Sequence, residues 1–329
     1  MSKEISFSQS SSIPRPPWAT ESRVDEYGLC ANVWVPGTQV GFRMRSIPAG
    51  AFLMGSPEGE PGRWNPAGGD GDDWSPELKL SIPPTDLIEA THTVTLTQNF
   101  WILDTPVTQA LWQAVMGDNP SFFISPDRPV EQVSWDDAMA FVQQLNLKID
   151  GFEAQLPTEA QWEYACRAGT QTATHGGPIE ILAASNAPAL DAIAWYAGNS
   201  AQHFELDNGE DARGWPDRQY GGDKAGTHPV ARKAPNQWGV YDMLGNVYEW
   251  CFDRLAPYPA DAVTDPAGPA TGRNRIIRGG SWQEEAQYCR AAARSADDPP
   301  YKYRDLGFRI VCPSDLVVTG STLADDSVA

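Results

Sequence analysis

The chain has 329 residues, of which 41% are hydrophobic and 20% charged, a composition that supports a sizeable globular core. Its formal net charge is -19, and a surface this acidic repels phosphate backbones, so no nucleic-acid partner is expected. The charge suits divalent cations or basic partners, although solubility alone also explains it. No run approaches the ~18 apolar residues of a membrane span, so no membrane partner is expected either.

The N-terminus and the cysteines indicate the compartment. Residues 1–18, MSKEISFSQSSSIPRPPW, contain no apolar core of a secretory signal. The cysteines are odd in number and widely spaced, which indicates reduced thiols rather than a disulfide framework. A cytoplasmic location is therefore expected. The five are Cys30, Cys166, Cys251, Cys289 and Cys312.

Composition divides the chain into three regions. Residues 1–40 predict an N-terminal arm, partly disordered, whose first half is rich in Ser and Pro. Residues 41–312 predict the folded domain, and residues 313–329 a disordered acidic tail. Within the domain, residues 57–77 are rich in Gly, Pro and Asp and predict a loop.

The first elements of the domain are short strands. Residues 42–47 and 52–54 alternate apolar with polar side chains, and the turn residues at 48–50 between them predict a hairpin. Residues 93–97 alternate in the same way and predict a further strand.

Three short helices follow. The first is predicted to start with Thr105 as its N-cap and to stop at Gly117. The second is predicted to start at Ser134, where a partial capping box is present. The third has the T-x-x-Q capping box of Thr158 and Gln161 ahead of a buried stripe.

Helical periodicity is scarce after residue 170. Short strands are predicted at 274–278 and 307–311, between turns and long loops. The order of strands, then helices, then loops and strands favours an α+β fold over a doubly wound sheet.

Two C-terminal blocks carry a dense signature. Residues 235–251 are PNQWGVYDMLGNVYEWC, and residues 275–310 are RIIRGGSWQEEAQYCRAAARSADDPPYKYRDLGFRI. Together with LPTEAQWEY at 156–164, they resemble the formylglycine-generating enzyme family, also called the sulfatase-modifying-factor family. The resemblance runs in order over residues 41–312. It implies a C-type-lectin-like fold with a small twisted sheet, few helices and extensive ordered loops.

The resemblance also exposes a departure. In the family's oxidase, two cysteines five positions apart follow the Gly-Gly-Ser-aromatic motif, and the soft thiolates hold copper(I). Here this stretch contains Cys289 alone, out of register with either ligand, among Gln and Glu residues that are poor copper(I) ligands. Copper is therefore not expected, and Cys289 is interpreted as a structural thiol. Ser281 is the catalytic-pocket residue that the resemblance implies.

The resemblance further implies structural calcium. Asp242 and Glu249 would provide side chains, and Gly245 and Val247 carbonyl oxygens, around a turn that offers the several oxygens calcium requires. A weaker second site would involve Asn199, beside Ser200. The alternative is that the two carboxylates cap loops or pair with arginines.

Two groups of C-terminal residues have competing structural and functional interpretations. The first is a set of arginines, either pairs for buried carboxylates or ligand contacts. The second is a set of tryptophans, either core anchors or ligand platforms. They are Arg278, Arg290, Arg294 and Arg309, with Glu163, Glu249 and Asp305 as candidate partners, and Trp238, Trp250 and Trp282.

Two classes of function remain open. The favoured one is a non-catalytic scaffold that recognises a protein or peptide ligand through a C-terminal surface, as in the similar retroelement-encoded variable proteins. In residues 283–305, scaffold-like residues alternate with polar and aromatic ones that are candidate contacts, and a solvated face is the alternative interpretation of the same pattern. The candidates are Gln283, Glu284, Glu285, Gln287, Tyr288, Ser295, Asp297, Tyr301 and Tyr303.

The alternative class is an oxidase of the same family that uses a site without the cysteine pair. Family relatives of the pyoverdine-maturation type lack the cysteine pair and resemble oxidases. A metal-dependent oxidase that works without the two cysteines therefore stays an alternative. A degenerate enzyme that serves as a structural subunit is a third interpretation.

Overall fold

The computed structural model describes residue 13, residues 15–64 and residues 87–314. Within these residues the protein has short helices, small sheets and long ordered loops, which confirms the predicted α+β class. The predicted tail at 313–329 and most of the loop predicted at 57–77 lie outside the described residues. No helix in the described part of the chain is both long and apolar enough to cross a bilayer.

The three helices form where local caps allow them. They are α1 (Gln109–Met116), α2 (Trp135–Lys148) and α3 (Glu159–Arg167). The capping boxes predicted at Ser134 and Thr158 are both present, because each cap and its N3 partner bond reciprocally. The N-cap predicted for α1 is wrong: Thr108, not Thr105, accepts the Leu111 N–H at 3.2 Å.

Fourteen strands build four sheets in the described residues. The largest has the order β1-β2-β3-β6-β14, and the others are β10-β5-β4, β12-β11-β9-β13 and β7-β8. The strands are β1 (Glu21–Asp25), β2 (Gly28–Trp34), β3 (Gly41–Ile47), β4 (Gly50–Met54), β5 (His92–Leu96), β6 (Phe100–Leu103), β7 (Glu210–Asp211), β8 (Lys224–Ala225), β9 (Tyr248–Arg254), β10 (Val263–Thr264), β11 (Arg275–Arg278), β12 (Arg294–Asp297), β13 (Leu306–Phe308) and β14 (Val311–Pro313).

The fold extends N-terminal to the start predicted at residue 41. Strands β1 and β2 pair with each other, and β2 pairs with β3 from Cys30–Arg45 to Trp34–Gly41. Trp18 is buried in the same core, with its ring 5.5 Å from the ring of Trp101. The described part of the predicted arm is therefore an integral part of the largest sheet.

The hairpin predicted at 42–54 is wrong. β3 pairs with β2 and β6, whereas β4 pairs with β5, so the turn after Ile47 passes the chain from one sheet to another. The strand predicted at 307–311 also divides, because Arg309 and Ile310 separate β13 from β14 and the two belong to different sheets.

The sheet of β9, β11, β12 and β13 lies between two hydrophobic clusters. Successive residues of a strand point to opposite faces, and Trp250 and Ile277 pack into one cluster while Cys251 and Ile276 pack into the other. Trp282 belongs to a third, smaller cluster and is 0% exposed. The tryptophans predicted as core anchors are therefore packed in or against the core.

Buried arginine–carboxylate pairs join this sheet to the helices. Each of the four arginines of the sequence signature contacts a carboxylate distant in the chain, so the structural interpretation of these arginines is confirmed. The pairs are Arg278–Glu163, Arg290–Glu89 (2.6 Å), Arg294–Glu159 (2.6 Å) and Arg309–Glu249 (2.6 Å).

We predict that Glu163→Gln destabilises the protein by about 3–5 kcal/mol, because it leaves the guanidinium groups of Arg278 and Arg167 buried without a full counter-charge. Glu163 accepts Arg167 Nε at 2.8 Å and the Gly55 N–H at 2.9 Å, in addition to bonding Arg278. Urea unfolding of both proteins measures the difference.

The matched control is Asp211→Asn, which removes an ion pair with Arg213 whose side chains are 61% and 69% exposed. We expect no measurable change for the control. Equal stability of Glu163→Gln and the wild type would show that the buried pair contributes no net free energy.

Candidate functional site

The C-terminal segment starts with two glycines at positions that a residue with a side chain would not fit. Gly279 and Gly280 have φ of 99° and 71°, and a Cβ on Gly280 would lie 2.7 Å from the Cys289 sulfur. The unusual backbone and close approach predicted for this pair are both present. The two glycines separate Ser281 from the end of β11, and the Ser281 backbone hydrogen-bonds the buried thiol of Cys289.

Burial separates the residues of this segment as the alternation predicts. The scaffold-like positions, including Ala286, Arg290 and Ala291, are buried, whereas every candidate contact residue is half-buried or exposed. The segment therefore has a fixed inner face and an outer face whose side chains reach solvent. Whether the outer face binds a ligand stays a prediction.

Asp305 is a central polar group that the candidate set omits. Ser281 Oγ and Gln283 Nε2 both donate to its Oδ2 atom, at 2.7 and 2.9 Å. Burial raises the pKa of Asp305 to about 6. The sequence predicts Asp305 only as a partner for an arginine, and its position next to β13 is the one signal that marks it.

Near the buried Asp305, the outer face carries a pair of stacked tyrosines. Tyr301 and Tyr303 have ring centroids 6.1 Å apart and are 42% and 37% exposed. Burial, then the charges of Asp297, Asp305 and other neighbours, raises the pKa of Tyr301 to about 12. Burial also raises the pKa of Asp297 to about 6.

We call this group the Asp305 surface. It consists of Gln283, Glu284, Asp297, Tyr301 and Tyr303 around Asp305.

The other candidate contacts lie elsewhere. Gln287 donates to Glu285 at 3.0 Å and packs against Gly62, near Tyr288. Ser295 lies in β12 opposite Ile277. The nine predicted residues therefore do not form one continuous site.

The donors present do not fit a two-cysteine copper site. Cys289 is 0% exposed, and burial raises the pKa of its thiol well above the ordinary value. The five cysteines are buried, and none forms a disulfide with another described residue. In residues 15–64 and 87–314, no three side chains among His, Cys, Asp and Glu are grouped to hold a metal ion.

The predicted calcium carboxylates fit the ion unequally. Asp242 Oδ2 accepts the Ala231 N–H at 2.6 Å, whereas its buried Oδ1 has no hydrogen-bond donor, and burial raises the pKa of Asp242 to about 6. A buried oxygen without a partner is a donor that a hard cation can use. The turn between the two carboxylates, which contains Gly245 (φ 71°) and Val247, curls tightly through positive φ angles.

Glu249 is already neutralised, as the alternative interpretation expects. Its oxygens accept both Nε and Nη2 of Arg309 at 2.6 Å, and the Trp162 indole N–H at 2.8 Å. Asn199 is likewise engaged, since its side chain bonds the Tyr196 N–H and the Ala194 carbonyl. Calcium remains a prediction, and Asp242 is the residue that best fits it.

Fold and site together define an α+β domain of ordered loops, held by buried arginines and displaying a polar outer face. The family model for the sulfatase-modifying factor enzyme 1-like domain matches residues 38–313. The chain belongs to this family, as its sequence resemblance predicts.

Curated relatives include formylglycine-generating enzymes. The chain is 32% identical over 219 residues to the enzyme of Bos taurus, covering 65% of this chain and 51% of the relative. It is 32% identical over 225 residues to the enzyme of Streptomyces coelicolor, covering 67% and 63%. The chain thus spans between about half and two thirds of the length of these relatives.

Solved structures that share the fold include a variable protein and PvdO. Treponema denticola variable protein 1 is 30% identical with a TM-score of 0.64, covering 87% of this chain and 99% of that protein. PvdO from Pseudomonas aeruginosa is 23% identical with a TM-score of 0.59, covering 83% and 94%, and this likeness shows the fold alone. The C-type-lectin-like assignment rests on the family resemblance.

We predict that calcium raises the melting temperature of the wild-type protein and does not raise that of Asp242→Asn. At a calcium concentration 100 times the dissociation constant, linkage gives about 2.7 kcal/mol of stabilisation. Thermal unfolding in calcium, magnesium and chelator measures the shift. The exposed Asp211→Asn variant serves as the control, and equal melting in calcium and chelator would show the calcium prediction to be wrong.

Proposed function

We propose that this chain is a non-catalytic recognition domain that binds a protein or peptide through the Asp305 surface. The observation that carries the proposal is the division of residues 281–305 into a buried scaffold and an outer face. Because the buried residues hold the backbone in place, the outer side chains are free to serve as ligand contacts without affecting the fold. The similarity to Treponema denticola variable protein 1, over nearly all of that protein, supports this role.

The chemistry of the surface favours a basic segment as the ligand. Glu284, Asp297 and Asp305 supply carboxyl groups, and the exposed tyrosine rings can stack with a guanidinium or ammonium group.

Two cations lie near this surface, and each is paired with a carboxylate outside it: Arg304 with Glu210 and Lys302 with Asp137. Arg304 also lies over the rings of Phe122 and Tyr303. Because both cations are already paired, the carboxyl groups of the surface keep their acidic character.

The oxidase of the formylglycine-generating relatives is the alternative function. It finds weaker support, because the standard mechanism needs two accessible thiolates and Cys289 is buried with a raised thiol pKa. Ser281, the pocket residue implied by the family, is engaged with Asp305 instead of being free for a substrate.

We expect the purified protein to retain no copper(I) after gel filtration and to leave a Cys-x-Pro-x-Arg peptide unmodified in the presence of copper and oxygen. Mass spectrometry of the peptide measures conversion, with the Streptomyces coelicolor enzyme as the positive control. Conversion of the peptide by the wild type would overturn the recognition proposal in favour of an oxidase, and its loss in Cys289→Ser would assign the activity to that thiol.

We expect a displayed peptide library to yield ligands rich in Arg and Lys that bind the wild type about tenfold or more tightly than the double variant Tyr301→Ala, Tyr303→Ala. Affinity should rise between pH 5 and 7, because Asp297 and Asp305 gain negative charge as the pH passes their raised pKa of about 6. Calorimetry with the selected peptides measures both effects.

The matched control is Leu147→Ala, which truncates an 80% exposed side chain on α2 and should leave the affinity unchanged. Selected peptides that bind the double tyrosine variant as tightly as the wild type would contradict the proposal.

A further inference from the structure

A cavity lies between the start of α3 and a proline-rich loop, and it is separate from the Asp305 surface. Its volume is about 310 Å³, and none of its lining residues belongs to that surface. Small-molecule pockets commonly start at this size, about 300 Å³, and combine apolar walls with a few convergent polar groups.

The apolar wall is the loop at 256–269, APYPADAVTDPAGP, which lines the cavity with four prolines and Val263. The loop is fixed at its centre, where β10 pairs in parallel with β5. Asp265 then accepts the Thr97 N–H at 2.8 Å and the Thr97 hydroxyl at 2.6 Å. Because the prolines and these bonds already hold the loop in place, a ligand that binds against it loses little free energy to ordering the loop.

The floor carries one neutralised carboxylate. Glu159 accepts Arg294 Nε and Nη2 at 2.6 and 2.9 Å and the Tyr258 hydroxyl at 3.0 Å. The Arg294 guanidinium also lies 3.7 Å from the centre of the Tyr258 ring. This group is satisfied within the protein and shapes the floor of the cavity.

The floor also carries Asp253, which has no ion pair among the described residues. It is 4% exposed and lines the cavity, and its Oδ2 accepts the Glu159 N–H at 2.9 Å. Gly268, with φ of 70°, brings the loop so close that a Cβ there would lie 2.9 Å from the Asp253 Cβ. An acceptor-only carboxylate under an apolar wall favours a ligand that brings a positive charge.

We propose that this cavity binds a small organic cation, with a compact apolar body against the proline-rich loop and an ammonium or guanidinium group on the carboxylate of Asp253. The other titratable groups that line the cavity are Glu159, Arg294, His92, Arg254 and Tyr258. Arg294 is paired with Glu159, and the Arg254 Nε donates to the Ala270 carbonyl at 3.4 Å. Of the two carboxylates in the cavity, Asp253 is therefore the one with which a bound cation forms the stronger interaction.

The test uses three probes of similar shape, phenethylamine, phenethyl alcohol and phenylacetate, titrated into the full-length protein by calorimetry. We expect saturable binding of the amine at millimolar or lower concentration, and binding of the alcohol and the carboxylate that is about tenfold weaker or more, since a hydrogen bond to a charged group changes an equilibrium constant by about that factor. Equal binding of amine and alcohol, or no saturable binding of the amine, would overturn the proposal.

Asp253→Asn locates the site, because Asn retains an oxygen for the Glu159 N–H and removes the charge. We expect this variant to lose the preference for the amine, whereas Asp261→Asn, an exposed carboxylate on the same loop outside the cavity lining, should keep it. Undiminished amine binding in Asp253→Asn would overturn the assignment.

A pH series on the wild type keeps the test valid if Asp253→Asn does not fold. Burial raises the pKa of Asp253 to about 7, so the carboxylate forms as the pH rises from 6 to 8 and amine affinity should rise with it. Alcohol affinity should stay constant. A flat profile for the amine would contradict the role of Asp253.

Discussion

The buried guanidinium of Arg278 is the interaction on which the C-terminal half of the molecule depends. Arg278 is 0% exposed and donates to the carbonyls of Ala291 and Ala292, each at 2.9 Å, to Ala293, and to the carboxylate of Glu163. The loop that leaves β11 is thereby closed back onto β11 and onto α3 by one side chain. A planar group with five donors in fixed directions can do this, and a lysine cannot.

This choice of interaction explains how a domain with so little regular structure keeps one conformation. A buried ion pair often adds little net stability over packed apolar groups, but its geometry is specific, and losing one partner is costly. In this chain the pair of Arg290 with Glu89 joins two segments that lie outside helices and strands, and the pair of Arg294 with Glu159 joins β12 to α3. We infer that the pairs fix the positions of loops that hydrophobic burial alone would leave free to slide.

The features that the sequence predicts well are local ones. The boxes at Ser134 and Thr158 are recognised because a cap and its partner are three residues apart. The cap of α1 is misassigned for a non-local reason: the Val107 N–H bonds the Phe308 carbonyl, so residues before Thr108 belong to strand-like contacts and the helix starts later.

The errors in the sheets have the same origin. β3 finds its partner β6 more than fifty residues along the chain, and no turn signal after Ile47 reveals that the next strand joins a different sheet. β1 and β2 could have been recognised from Gly28, whose φ of 107° lets the chain reverse between them, but their pairing with β3 is decided by packing. The buried positions of residues 281–305, in contrast, are predicted correctly from the sequence. The pattern that marks them is the local alternation of scaffold-like and polar residues, which needs no knowledge of distant partners.

Asp305 and Asp253 were harder to find because a carboxylate in sequence carries no sign of its surroundings. Both are buried, and neither has an arginine or lysine within ion-pairing distance among the described residues, whereas Glu163, Glu159 and Glu249 have one. Burying an unpaired carboxyl group opposes folding, so a protein that spends four arginines on other carboxylates and leaves these two without one retains a polar group where a ligand can satisfy it. Asp242 and Glu131 are likewise buried without an ion pair among the described residues, so a missing partner alone does not mark a binding site. Asp305 and Asp253 differ from them because Asp305 lies beside the exposed tyrosines and Asp253 lines a cavity, where a ligand can reach the carboxyl group.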